Sequence, residues 1–68
     1  MKKARLNRIK IVLAETGTTN KELAEKLGIA RPTVSKWCTN DSQPSIVTLF
    51  QIAKALDVDV RELLVSSK

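Results

Sequence analysis

The sequence predicts an all-α protein, one domain of five short helices, and three observations carry that expectation. Apolar residues recur at three- and four-residue intervals through most of the 68-residue chain, the spacing that lines one face of a helix. Stop and start signals, glycine on one side and Ser, Thr or Asp on the other, fall at the ends of these periodic stretches. No strand-like alternation, internal repeat, low-complexity stretch or interdomain linker interrupts them.

The first helix is predicted over residues 5–15, with Leu6, Ile9, Val12 and Leu13 on its inner face and Gly17 at its end. Thr19-Asn20-Lys21-Glu22 has the form of a capping box, in which the threonine oxygen accepts from the Glu22 amide and the glutamate reaches back. A second helix starts there, turns Leu23, Ala24 and Leu27 to the core, and stops at Gly28, which adopts the positive φ that a helix C-terminus favours. Pro32 lacks an amide proton and fits only the first turn of a helix, so the third helix begins at Ala30 or Arg31 and carries Val34 and Trp37 inward. Thr39-Asn40-Asp41-Ser42-Gln43-Pro44 is a cluster of turn formers and reads as a loop. Ser45 caps a fourth helix, in which Ile46, Leu49, Phe50, Ile52, Ala53 and Leu56 repeat with helical period up to Asp57. Asp59 and Glu62 make a second box-like pair, so a short fifth helix holds Val60, Leu63 and Leu64. Residues 65–68 are expected to fray.

A chain of this length buries only about 60% of the surface its unfolded form exposes, so compact packing has to stabilise it. With no histidine and Cys38 as the single cysteine, no metal cluster is available as a staple, and a lone thiol suits a reducing, cytoplasmic setting. Apolar runs such as Ile11-Val12-Leu13 are too short for a membrane span, and Lys2, Lys3, Arg5 and Arg8 occupy the place of a signal peptide's apolar region. The formal charge of +5 is concentrated in the first forty residues. Lys2, Lys3, Arg5, Arg8, Lys10, Lys21, Lys26, Arg31 and Lys36 stand there against Glu15, Glu22 and Glu25, whereas beyond that point the signs nearly cancel. The two readings of this half are a surface built to meet a polyanion and a solvated basic surface that aids solubility.

Spacing narrows the choice. Counting from Asn20, a small residue falls at the fifth position (Ala24), glycine at the ninth (Gly28), and bulky apolar residues at the fifteenth and eighteenth (Val34, Trp37). Ala24 marks the helix crossing, where a larger side chain would force the second and third helices apart. Gly28 permits the sharp turn. Val34 and Trp37 fill the wedge beneath the third helix and hold its outer face, Arg31, Thr33, Ser35 and Lys36, proud of the surface. Trp37 is thus a core residue rather than a base-stacking one, and Cys38 a small half-buried hydrophobe.

The stretch from Thr19 to Trp37, with Pro44-Ser45, Ile52-Ala53-Lys54-Ala55-Leu56-Asp57-Val58 and Glu62-Leu63-Leu64, resembles the Cro and C1 repressor family, also called the XRE family. The resemblance covers residues 8–64 and implies a five-helix lambda-repressor-like fold, with a helix-turn-helix over residues 20–39 and the third helix in the major groove of double-stranded operator DNA. It implies base reading by Arg31, Pro32, Thr33, Ser35 and Lys36. Arg31 has forked donors suited to guanine O6 and N7, Lys36 reaches a base or a phosphate, and Pro32 offers only an apolar contact. Backbone binding falls to Asn20, where the family often has glutamine, with Lys21 beside it, and to Thr39 and Asn40. Many relatives carry arginine where this chain has Leu13, which shifts that work to Arg8 or Lys10. The basic run from Lys2 to Lys10 reads either as an arm that follows the phosphates or as a soluble terminus.

The expected function is a sequence-specific transcriptional regulator, a repressor acting as a homodimer on half-sites about 34 Å apart. By resemblance, the dimer surface is the segment 58–65, which opens on Val58 and closes on Val65. With no ligand or cleavage domain after the helix-turn-helix, control is expected through abundance or a protein partner, and no cofactor is implied. The rival reading is an interaction module, an antitoxin or a restriction–modification control protein, in which DNA binding is secondary. An enzyme is not expected, because no acid–base pair or nucleophile has a visible partner.

Overall fold

The computed structural model describes residues 4–68, so Lys2 and Lys3 of the basic run lie outside it. Four α-helices follow in order: α1 (Ile9–Thr16), α2 (Asn20–Leu27), α3 (Arg31–Cys38) and α4 (Ile46–Leu56). A single 3₁₀ turn, Val60–Leu63, closes the series. The expected fifth helix is therefore one turn rather than an α-helix. Asp59 and Glu62 do form the reciprocal cap at its start, but by Leu64 the backbone is extended and pairs with the other end of the chain. No helix among the described residues is long and apolar enough to cross a membrane.

The caps predicted at Gly17, Thr19, Gly28 and Ser45 are in place, whereas α1 starts four residues later than predicted. Gly17 and Gly28 end α1 and α2 in the left-handed region, and the Thr19 box is complete, with Glu22 N–H donating to Thr19 Oγ1 and Thr19 N–H to Glu22 Oε1, both at 3.1 Å. Ser45 Oγ accepts from Thr48 N–H at 3.1 Å at the head of α4. Around these frames one core forms from Ile9, Val12, Leu13, Leu23, Ala24, Val34, Trp37, Leu49, Ile52, Ala53, Leu56 and Leu63.

Two expected core faces are narrower than the periodicity implied. Residues 6–8 do not join α1. Leu6 is 54% exposed, its N–H donates to Asn40 Oδ1 and its carbonyl accepts from Val65 N–H, while Arg8 N–H donates to Leu63 O at 2.8 Å. These bonds make an isolated antiparallel bridge, Asn7 to Leu64, and commit backbone groups that a longer helix would need. Val65, at the start of the stretch expected to fray, is thus hydrogen-bonded. On α4, Leu49, Ile52, Ala53 and Leu56 are buried, yet Ile46 and Phe50 stand in solvent.

Asn7 is the one buried polar side chain among the described residues, 4% exposed. Its Oδ1 accepts from Ile9 N–H at 3.1 Å, capping α1, and its Nδ2 donates to Trp37 O at 3.0 Å and to Gln43 Oε1 at 2.7 Å. Replacing it with alanine takes the side-chain acceptor from the Ile9 amide and the donor from Gln43 Oε1, and leaves the Trp37 carbonyl with the Asn40 N–H alone, at a cost of roughly 1–3 kcal/mol. Asn7→Ala should therefore lower the unfolding free energy by that amount, read as a lower urea midpoint at unchanged slope; a loss under about 0.5 kcal/mol, the range of neutral surface changes, would show that the amide holds nothing together.

Glu22 supplies a pH-dependent part of the stability. The bond from the Thr19 backbone, then the Thr19 side chain, holds its carboxyl below the ordinary glutamate range, with Lys26 adding to the effect. A lowered folded-state pKa stabilises above the unfolded value and is lost as pH falls through the folded one. Wild type should therefore melt above Glu22→Gln at neutral pH, with the gap closing in acid; thermal melts across the acid range check it, and a gap constant with pH would refute the linkage.

Candidate nucleic-acid interface

The α2–α3 unit is rigid by construction. Gly28, at φ 67°, reverses the chain at the end of α2, and Ile29 N–H donates to Ala24 O at 3.0 Å across that turn. No atom crowds a Cβ at Gly28, so the demand for glycine there is conformational rather than steric. Ala24, 3% exposed, and Val34, fully buried, allow the two helices to approach. Trp37, 6% exposed, packs inward as predicted.

What this leaves outside is the first turn and outer face of α3. Arg31, Pro32 and Lys36 are exposed, and Thr33 and Ser35 half-buried. Ala30 caps α3 without a side-chain hydrogen bond, Pro32 stands in the first turn, and no acid is near the start. The helix therefore turns an uncompensated positive end outward beside the Arg31 guanidinium, an arrangement that attracts phosphate and base acceptors. Neither Arg31 nor Lys36 forms an ion pair among the described residues.

The residues expected at the DNA backbone divide into two groups. Lys10 on α1 and Lys21 on α2 are exposed. The others hold the protein to itself. Asn20 folds against α3, its Nδ2 donating to Ser35 Oγ at 3.4 Å and its Oδ1 accepting from Cys38 Sγ at 3.5 Å. Thr39 Oγ1 donates to Asp41 Oδ2 at 2.6 Å and lies 3.2 Å from Ser35 O. Arg8 Nη1 donates to Glu62 O at 3.1 Å.

Asn40 is the most committed. In the left-handed region at φ 59°, it accepts at Oδ1 from Leu6 N–H at 2.9 Å, Asn7 N–H at 3.1 Å and Gln43 Nε2 at 3.0 Å, and donates from Nδ2 to Asn7 O at 3.4 Å. Its side chain thus clamps the protein's own backbone. Sequence reasoning missed this amide cluster of Asn7, Asn40 and Gln43. A signal was present, since asparagine two residues before an apolar periodic run is a capping residue, but starting the helix at residue 5 concealed it.

A sequence model described as helix-turn-helix matches residues 9–63. The chain belongs to this XRE-type helix-turn-helix family. Family members are DNA-binding transcriptional regulators rather than enzymes. The chain is 52% identical to a candidate DNA-binding protein from Bacteroides fragilis, whose crystal structure superposes with a TM-score of 0.87 over 88% of this chain and 97% of that one. A transcriptional regulator from Listeria innocua shares the fold, with a TM-score of 0.71 at 22% identity over 94% of this chain and 64% of that one. Antitoxin HipB from Escherichia coli O6:H1 (strain CFT073) is 35% identical over 79% of this chain and 57% of its own length, and HipB of strain K12 33% identical over 79% and 61%. The chain thus spans about three fifths of the length of these relatives.

Cys38, half-buried at the end of α3, has its thiol pushed up by burial, against an opposing pull from Lys10. Because the thiolate is the reactive form, Cys38 should be alkylated by iodoacetamide more slowly in the native protein than in urea at neutral pH. Equal rates would mean that the α2–α3 contact opens freely.

Proposed function

We propose that this protein is a sequence-specific regulator of transcription, a repressor that binds double-stranded DNA in the cytoplasm as a homodimer and reads the major groove with α3. The observation that carries the reading is the outward face of α3: Arg31 and Lys36, exposed and without ion-pair partners among the described residues, on a helix braced from behind by Val34 and Trp37. In this reading Arg31 contacts a guanine edge, Pro32 and Thr33 contact neighbouring bases, and Ser35 and Lys36 lie further along the groove. Lys10 and Lys21 meet phosphates, while Asn20, Thr39, Asn40 and Arg8 keep α3 at the right height. The segment 58–65 contributes to the dimer. Repression asks only for occupancy of a promoter, which a domain of this size supplies.

A second reading has support of its own, because the curated relatives are antitoxins. In that case a protein partner is the target and DNA binding serves autoregulation.

Selection from a random duplex library at physiological salt separates the two. The DNA reading expects an enriched site with two-fold symmetry. Arg31→Ala should relax one position in each half-site and weaken binding by about 1–3 kcal/mol per contact. Retention that collapses with salt and enriches no site would leave only polyelectrolyte attraction and favour the partner reading.

A further inference from the structure

We propose that the groove between the ends of α2 and α4 binds an acidic peptide segment of a protein partner, taking its carboxylates on Lys26 and Lys54 and an aliphatic side chain on Leu27 and Ala55; this gives the partner reading above a site and rests on that reading. The groove measures about 530 Å³ and is lined by Lys26, Leu27, Gln51, Lys54 and Ala55. That volume falls within the range of about 300–1,000 Å³ common among ligand sites.

Its walls come from two helices. Lys26 and Leu27 end α2, and Gln51, Lys54 and Ala55 run from the middle of α4 toward its end. Lys54 follows Gln51 by three positions, so the two share a face. Leu27 and Ala55 are half-buried and pack on the core, which makes an apolar floor, whereas Lys26 and Lys54 are exposed. Lys26 Nζ donates to Ala55 O at 3.4 Å, which ties the ammonium to that floor and leaves two of its three protons for an occupant. No acid lines the groove, and no ion pair among the described residues engages either lysine. Glu22, one turn before Lys26, feels its charge but is bound in the Thr19 cap.

Each lysine also stands in the last turn of its helix, where a cation offsets the negative end. Helix-end electrostatics accounts for the two charges but not for the apolar floor beside them. The combination selects the occupant. The phosphate backbone of a duplex brings charge without an aliphatic group to cover Leu27 and Ala55, and an inorganic anion is too small to fill the groove. A peptide that carries Asp or Glu beside Leu, Ile or Val meets both the cations and the floor, and the Gln51 amide can pair with its backbone. No residue of α3 lines the groove, so the occupant leaves Arg31 and Lys36 open to DNA.

NMR titration of the isotope-labelled protein with an end-blocked peptide of alternating glutamate and leucine tests the site. The amides of Leu27, Gln51, Lys54 and Ala55 should shift in a saturable way. Serine in place of the leucines, or glutamine in place of the glutamates, should weaken binding severalfold. Lys26→Gln combined with Lys54→Gln should weaken it by about fivefold or more, the effect of losing two exposed charge contacts. Gln51→Glu, which keeps both lysines, should weaken it as well; circular dichroism and urea midpoints establish that the variants fold. Shifts confined to the α3 surface, affinity indifferent to leucine, or a double variant that binds as well as wild type would overturn the proposal. Affinity capture from the source organism's lysate, with wild type and the double variant side by side, separates the site from the reading it rests on. A protein retained equally by both overturns the groove and leaves the partner reading standing, whereas a groove that binds the peptide while no protein is retained removes the partner reading alone.

Discussion

The buried amide of Asn7 is the constraint on which the rest of this small structure depends. Every polar group of that residue is engaged. Its backbone meets Asn40, its Oδ1 caps α1, and its Nδ2 reaches the end of α3 and the loop beyond. Among the described residues no buried side-chain nitrogen or oxygen lacks a partner, so the network is complete, and complete networks specify geometry whereas partial ones destabilise. A bare apolar core of a dozen side chains would leave α3 free to slide on its neighbours. Here the Trp37 carbonyl near its C-terminus is tied to Asn7, just ahead of α1, and its body is tied to α2 through Ser35 and Asn20.

That anchoring divides labour among the polar residues near α3. The amides and hydroxyls flanking the helix are spent on the protein's own backbone and side chains, while no ion pair among the described residues engages its exposed cations. The division has a physical logic: short side chains such as Asn and Thr reach only nearby backbone groups, whereas Arg and Lys extend past the surface on long stems. The long cations thus stand on a platform held by short residues.

Much of this was readable from the residues. Helix ends were legible because their chemistry is local: Gly17, Gly28, Thr19, Ser45 and Asp59 act within four residues of themselves. The wedge of Val34 and Trp37 was legible because the tight turn leaves few ways to bury a bulky pair. The start of α1 was not, since Leu6 continues the helical period and only pairing with Val65, fifty-nine positions away in sequence, draws it out of the helix. Periodicity likewise placed Ile46 and Phe50 inward, but α4 offers more apolar positions than the core has room for. The fifth helix shrank to one turn for the same long-range reason, as its successor Leu64 is claimed by Asn7. Of the residues expected at DNA, Arg31, Pro32, Lys36, Lys10 and Lys21 are exposed, whereas the Asn40 side chain faces the fold.

The bridge between the two ends has a mechanical side. Its hydrogen bonds run across the paired segments, with Leu6 facing Val65 at the mouth and Arg8 facing Leu63 further in. Tension applied through both termini opens this pair from the mouth inward, loading one bond at a time, as a zipper does, rather than shearing them together. Once the Leu6 bond parts, the next load falls on the Asn40 clamp and then on the tie to Trp37. A domain fastened in this way yields to pulling from its ends, so an unfolding machine that grips either terminus meets the seam that also braces α3.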